Sequence, residues 1–542
     1  MFNFTRIFRK KEYIFIFLII LTLSVGFSIP QIFLLVKKPS DYVPFTSNLK
    51  LSFFEEETYI YAAHVRRIDE GYLNGDPYLW EYKNSSSPYI EELGSYMPLW
   101  ISSKIAGSVS AGFVLSEFIF PPLLFLLIFY SLKKFKYKTY FAIAASLAVI
   151  IIPFFSTLIP LPFHDSTRWW GSSNLPVFFT RIPHPLISSV YLFTPLFFTA
   201  AFLTSPAPYM FYLFPLLMGI VLYSSPFIAS SVIIGSLILT PALIKKFTFK
   251  KLVLSAFIFL LCALPLLLNA LSFQKLIDTK DFLVRTSFPL HFMFPVQLRY
   301  LFIGSFLFLL RRDKFSAVIL SYITAASILI DGHQLLLGRN LEADHWVSRI
   351  MAPLATLSIF LSIHFFIKKL RFSNIIWIVF SVILIGILFI KQYSWIKERI
   401  NEFPLAIKEE EALNQIIKNT KEEDVIGSFD YNLNKYLTGM TGRRVYLASG
   451  DRTLASTTEQ LRRICDLSNI IKSKDRQYIK RINLDYALGF DVWYKDDLSD
   501  IIQKIENCRK ENFEGPKYKL DYILQENEEQ GFDLIPISRD LP

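Results

Sequence analysis

The chain has 542 residues, of which 52% are hydrophobic, 16% aromatic and only 19% charged, with a net charge of +11. This composition excludes an ordinary soluble domain. The positive charge does not point to nucleic acid, because the basic residues fall in short clusters between apolar runs rather than on one soluble face. Long windows without Asp, Glu, Lys or Arg give way after Lys391 to a segment rich in all four, so a membrane part and a polar part share one chain.

The first apolar run, Tyr13 to Val36, spans 24 residues and follows Arg6, Arg9, Lys10 and Lys11. It is too long for a signal-peptide core and no small-residue cleavage site follows, so it is expected to stay as the first transmembrane helix, entering from the cytoplasm. Later charge-poor runs end at basic clusters: Lys133, Lys134, Lys136 and Lys138; Lys245, Lys246, Lys250 and Lys251; Arg311, Arg312 and Lys314; Lys368, Lys369 and Arg371. The positive-inside rule assigns all of these to the cytoplasm and so requires an even number of passes between successive clusters. The 59 residues from Leu186 to Ile244 contain no charge and no histidine. Parity asks for an odd number of crossings there, and the breaks at Ser205-Pro206-Ala207-Pro208 and Ser224-Ser225-Pro226 predict three. The other passes are read at 111–132, 139–160, 252–270, 292–310, 315–333, 348–367 and 373–390. The fold expected is an α-helical polytopic membrane bundle of about eleven transmembrane helices (1–395) with a C-terminal extracytoplasmic α/β domain (396–542). Loops 37–95, 160–185, 271–291 and 334–347 then lie outside with that domain.

Beyond Phe403 short β-rich runs, Val425 to Phe429, Val445 to Ala448 and Leu484 to Phe490, alternate with helix-like stretches, Leu405 to Asn419 and Thr457 to Ile471. No phosphate-loop or His-Glu zinc motif occurs, and Asp430, Arg443, Arg444 and Asp451 read as solvated loop charges. Cys465 and Cys508 flank one segment of a domain assigned to an oxidising compartment, which predicts a disulfide.

The outward loops carry the candidate chemistry. Loop one holds Glu55-Glu56-Glu57-Thr58-Tyr59 and then Asp76-Pro77-Tyr78. Apolar residues at helical spacing from Phe53 to Ile68 predict a short amphipathic helix on the membrane surface, whose first-turn carboxylates either serve the helix dipole or act as a general base or metal ligand. Loop two holds His164, Asp165 and Arg168, then Arg181 and His184 just before the uncharged run. Several cationic groups on the face where the positive-inside rule disfavours them suit a phosphate. Loop four supplies Arg339, Glu342, Asp344, His345 and Arg349, the last entering a transmembrane segment, where a charge is costly and faces a cavity or a partner. Glu117, alone in the second pass, reads as a protonated or paired structural carboxyl.

This arrangement resembles the GT-C glycosyltransferase superfamily, the membrane enzymes that use polyprenyl-phosphate-linked sugars, such as protein O-mannosyltransferases and the aminoarabinose transferase of lipid A. The resemblance covers nearly the whole chain: a many-pass bundle, a long first outer loop opening on acidic residues and tyrosines, and a C-terminal extracytoplasmic domain. The family's Asp-Glu-x-x-Tyr pattern is matched approximately by Glu55-Glu56-Glu57-Thr58-Tyr59, with Glu55 in place of Asp. Arg181-Ile182-Pro183-His184-Pro185 and Thr441-Gly442-Arg443-Arg444-Val445-Tyr446 are similar to elements of uncharacterised bacterial members. The resemblance implies a hexosyl or pentosyl transfer with inversion from a polyprenyl-phosphate-sugar donor to a glycan, lipid or protein acceptor at the outer face of the plasma (inner) membrane. Glu55, Glu56 and Glu57 would supply the base. Tyr59, Asp76, His164, Asp165, Arg168, Arg181, His184, Arg339, His345 and Arg349 would line the substrate site, and the resemblance allows a divalent cation, Mg or Mn. A secondary transporter, a lipid-linked oligosaccharide flippase or a polysaccharide polymerase is the competing reading, since eleven passes suit each. A transporter would place its ionisable residues near the midplane, whereas here they concentrate in the outer loops.

Overall fold

A computed structural model describes residues 10–37, 57–84, 87–88, 92–153, 155, 184–276, 278–399, 407–471, 480–489, 492, 495, 497–508, 513, 515–526 and 532–537. Among the described residues eight helices are long and apolar enough to cross a membrane, consistent with a multi-pass membrane protein. They lie within α1 (Lys10–Lys37), α4 (Val109–Lys134), α6 (Leu186–Thr204), α10 (Phe249–Leu276), α12 (Phe294–Arg311), α13 (Lys314–Leu337), the continuous Asp344–Ile367 run, and α16 (Ser373–Arg399). Three shorter apolar helices, α5 (Thr139–Ile151), α7 (Met210–Val221) and α8 (Pro226–Ile238), stand at the remaining three predicted passes. At 13 residues α5 extends only about 20 Å, less than the hydrocarbon thickness of a bilayer. The chain breaks between α6, α7 and α8 fall at the predicted Ser-Pro segments.

Without a hydrophobic drive between helices in lipid, small residues set how closely they approach. A β-carbon at Gly112 of α4 would lie 2.5 Å from the Ser103 Cα of α3 (Leu93–Ala106), and one at Gly235 of α8 would meet the Tyr322 ring of α13 at 2.5 Å. Capping residues fix the helix starts: the Ser108 hydroxyl accepts from the Ala111 N–H at 3.1 Å, and the Asp313 carboxylate from the Ser316 N–H at 2.8 Å. Glu117 is buried and accepts from Gln31 Nε2 of α1 at 3.1 Å, the paired structural carboxyl expected of it.

Among the described residues the polar part carries a four-stranded sheet in the order β2-β1-β3-β4, from β1 (Val425–Gly427), β2 (Arg444–Val445), β3 (Tyr522–Glu526) and β4 (Phe532–Pro536). The first three strands are parallel and β4 is antiparallel to β3. Helices α17 (Ile407–Asn419), α18 (Tyr431–Thr441), α19 (Thr457–Ile470), α20 (Arg481–Leu488) and α21 (Ser499–Cys508) accompany the strands. Ser456 and Glu459 open α19 in the capping-box spacing, with the Ser456 hydroxyl accepting from the Glu459 N–H. The expected strand at Leu484 to Phe490 is wrong: Leu484, Ala487 and Leu488 are buried at helical spacing, and they form one face of α20.

Cys465 and Cys508 are disulfide-bonded, with Cα atoms 6.1 Å apart across 43 residues of sequence. Closing a loop of that length stabilises by about 4 kcal/mol on the chain-entropy model. A Cys465→Ala, Cys508→Ala double variant is expected to unfold at lower temperature than the wild type, and reductant should lower only the wild type.

The reading of loop one as a surface helix is also corrected. Among the described residues α2 (Glu57–Asp69) is buried between two bodies rather than half-solvated: Tyr61, Ala62, Val65 and Ile68 join the bundle core, while Ala63 joins Tyr78, Leu79, Leu433 and Leu437 in the core of the polar domain. The charges at this junction are engaged, and so are the four read as solvated, of which Asp451 accepts from the Ser449 hydroxyl and pairs with Arg452 at 3.2 Å. Arg66 Nε donates to the Gly439 carbonyl at 2.7 Å, closing the carboxyl end of α18, and Arg444 pairs with Glu70 and donates to the Pro77 carbonyl. Arg443 closes the end of α17 through the Thr420 carbonyl at 2.7 Å, and Asp430 caps α18. Burial pushes the Glu70 carboxyl up although Arg444 pulls it down.

The bundle's two ends differ in chemistry. At one, Lys133 bonds Thr139 at 2.9 Å, Lys314 donates to the Leu203 carbonyl at 2.7 Å, and Arg311 lies 5.0 Å from the Tyr137 ring, which in turn touches His364. At the other, the polar domain meets loop one, and Arg285 of α11 (Thr279–Thr286) donates to the Gly450 carbonyl. Reporters placed in 133–138, 245–251, 311–314 and 368–371 are therefore expected to be cytoplasmic, and one after Lys391 extracytoplasmic. A C-terminal reporter on the same side as the basic clusters would overturn the parity scheme.

Candidate functional site

Two clusters of polar and aromatic side chains stand where loops one, two and four meet the bundle. The first joins α2, α3 and the start of α6. His64 stacks on Tyr96 with ring centroids 4.7 Å apart, and Tyr61 packs edge-on against His184 at 5.6 Å. His184 Nε2 lies 2.9 Å from Glu92 Oε2, both side chains largely buried. Glu92 precedes α3, whose Gly94 N–H donates to the Tyr223 carbonyl at 2.7 Å and whose Gly94 carbonyl accepts from Tyr191 Oη at 2.7 Å.

The second cluster begins two residues beyond Tyr223. Ser225 Oγ accepts from Arg349 Nη1 at 2.9 Å, Arg349 Nη2 lies 3.2 Å from His345 Nε2, and His345 Nδ1 lies 2.8 Å from Glu342 Oε2. The imidazole–carboxylate contact is bent, an electrostatic contact rather than an aligned hydrogen bond. Phe227 packs edge-on against His345 and Trp346, both at 4.8 Å, and its ring lies 5.3 Å from the guanidinium carbon. Arg349 sits in a π-helical turn, Val347–Met351, between the single turn α14 (Asp344–Trp346) and α15 (Ala352–Ile367). Such turns are rare and concentrate at functional sites.

Glu342 stands outside the span. Burial raises its carboxyl, but the imidazole of His345 and the guanidinium charges of Arg452 and Arg349 outweigh this and hold it at about 2, against an ordinary 4.5. The folded-state value is depressed, so the stability Glu342 contributes is present above pH 4.5 and lost as pH falls towards 2. The difference in unfolding temperature between wild type and Glu342→Gln should shrink across that window.

Of the predicted site residues, Glu55, Glu56, His164, Asp165, Arg168 and Arg181 lie outside the described residues. Glu57 and Tyr59 are on the first turn of α2, about one turn and half a turn before Tyr61, which touches His184. His345 and Arg349 come together as above, and Arg339 is half-buried beside Asn340, whose backbone bridges Phe288. Asp76 has a structural position: fully buried, it accepts from the Tyr78 N–H at 2.7 Å and the Leu454 N–H at 2.9 Å, from Leu79 N–H, and from the Thr453 hydroxyl. Glu92, His64, Tyr96 and Ser225 were not singled out from sequence, since none stands in a motif and their partners are remote in the chain. Among the described residues no three His, Cys, Asp or Glu side chains gather as a metal site.

Neither a protein-family model nor a curated protein sequence matches the chain. Among solved structures it is similar to the Archaeoglobus fulgidus oligosaccharyltransferase, crystallised with zinc and sulfate, at 12% identity over 93% of this chain and 68% of that one, with a TM-score of 0.38. A likeness this loose carries nothing about fold family or activity.

Proposed function

We propose that the protein is a membrane glycosyltransferase that moves a hexosyl or pentosyl group from a polyprenyl-phosphate donor to a glycan, lipid or protein acceptor at the extracytoplasmic face. The acceptor hydroxyl attacks the anomeric carbon with inversion, its proton passes to a carboxylate of the Glu55-to-Glu57 run, and the bond to the lipid phosphate breaks with its electron pair leaving on the phosphate. The observation that supports this best is Arg349: a buried, permanently charged guanidinium at the boundary of an apolar span, whose direct partners among the described residues are a hydroxyl and an imidazole rather than a carboxylate. A charge so placed suits the phosphate of a lipid whose tail stays in the bilayer. The test is mass spectrometry of surface glycans and lipid-linked sugars in a deletion strain. Loss of one glycosyl residue with accumulation of its lipid-phosphate donor is expected, and an unchanged glycan profile overturns the proposal.

A further inference from the structure

We infer that Glu342 and Ser225 are positioning residues that hold Arg349, through His345 and directly, as the binding group for the phosphate of a membrane lipid; this rests on the transferase reading above.

The inference begins with His345. Its Nδ1 lies 2.8 Å from a Glu342 oxygen. A lone pair there would repel the carboxylate, so Nδ1 carries the proton. That leaves the lone pair of Nε2 towards Arg349 Nη2 at 3.2 Å, where it accepts. Glu342 thus sets the tautomer that lets the imidazole orient a guanidinium instead of opposing it. Ser225, held at the start of α8, takes the other terminal nitrogen, and the Phe227 ring packs beside the planar group. A carboxylate placed directly on Arg349 would have formed a stronger pair and cancelled its charge. Here the carboxylate stands one group away, so the charge is oriented without being neutralised by contact.

The backbone is consistent with a built site. Glu342 has φ +48°, a left-handed conformation unfavourable for a residue with a side chain, and the π-turn that carries Arg349 is itself less favourable than regular helix. Both costs fall on the segment that delivers these groups. The same turns carry two buried donors without a hydrogen-bond partner among the described residues, Ser348 Oγ and Trp346 Nε1. Buried donors left unpaired are expensive, so this segment departs from ordinary packing in its side chains as well as in its backbone.

The full-length protein in nanodiscs, titrated with polyprenyl phosphate and separately with inorganic phosphate, tests this. Arg349→Ala is expected to weaken polyprenyl-phosphate binding about a hundredfold, and Glu342→Gln and Ser225→Ala each about tenfold. The Arg349→Ala, Glu342→Gln double variant should be no weaker than Arg349→Ala alone, because Glu342 acts through the arginine. Nitrogen NMR of His345 should show the Nδ1-protonated form in wild type and its loss in Glu342→Gln. Wild-type affinity in both Glu342→Gln and Ser225→Ala, with Arg349→Ala weakened, overturns the positioning inference and leaves the transferase reading standing. Wild-type affinity in Arg349→Ala overturns the phosphate assignment itself. Inorganic phosphate binding as tightly as the lipid overturns the lipid part. Ser225→Ala, a small change at a helix start, guards against loss of fold, provided its unfolding temperature matches wild type.

Discussion

Asp76→Ala is expected to lower the stability of the joined loop-one and C-terminal unit by about 3–5 kcal/mol, read as a fall in unfolding temperature on the order of 10 °C and as faster proteolysis after residue 70. The carboxylate is fully buried and serves four donors: the Tyr78 and Leu79 N–H groups of its own loop, and the Thr453 hydroxyl and Leu454 N–H of the polar domain. Truncation leaves all four without an acceptor in a site closed to water. The damage should spread, because the same loop feeds its Tyr78 carbonyl to the Val445 N–H at 3.0 Å and so runs along the free edge of β2. Glu81 and Glu459 hold Arg463 nearby at 2.8 and 2.7 Å, tying the loop to α19. Asp76→Asn keeps the shape but turns an amide N–H towards donors, so it should recover little. An unfolding temperature unchanged in both variants would show that the interlock is held elsewhere.

The membrane part was legible because bilayer thickness imposes long apolar runs and because proline breaks them at positions the chain states outright, as at Pro206 and Pro226. Helix α3 was missed: Ser95, Ser102, Ser103 and Lys104 dilute its apolar signal, yet Tyr96 and Leu99 are fully buried. The burial of α2 was hidden for a different reason. Its charges, Arg66 and Arg67, and the adjacent Glu70 suggest solvent, and the groups that satisfy Arg66 and Glu70 lie more than 370 residues away in sequence. Long-range pairing of a charge leaves no periodic trace. The second cluster was partly legible, since Glu342, His345 and Arg349 are spaced three and four apart, as on one helical face. Ser225 was not, because only the fold brings it beside Arg349.

The second large effect is on transfer itself. Glu56→Gln and Arg349→Ala are each expected to lower the rate of sugar transfer from a polyprenyl-phosphate donor in proteoliposomes by about 10²–10⁴, the range for loss of a general base or of one group stabilising the leaving charge. On the proposed mechanism the two would act at opposite ends of one displacement. Glu56 would take the proton of the attacking hydroxyl, and Arg349 would bear the charge that develops on the departing phosphate. Helix α2 begins one residue after Glu56 and touches His184 through Tyr61. His184 adjoins Glu92, and the strand of contacts continues from Gly94 through Tyr223 to Ser225 and Arg349. Separating base from leaving-group effects needs donors with different lipid phosphates. A better leaving group should narrow the deficit of Arg349→Ala and leave that of Glu56→Gln almost unchanged. Arg181→Ala belongs in the same series as a second phosphate partner. Full activity in Glu56→Gln would move the base to another residue of loop one, Glu55 or Glu57, which the corresponding single variants would identify. Full activity in every one of these variants, with correct membrane insertion, would remove the carboxylate mechanism altogether.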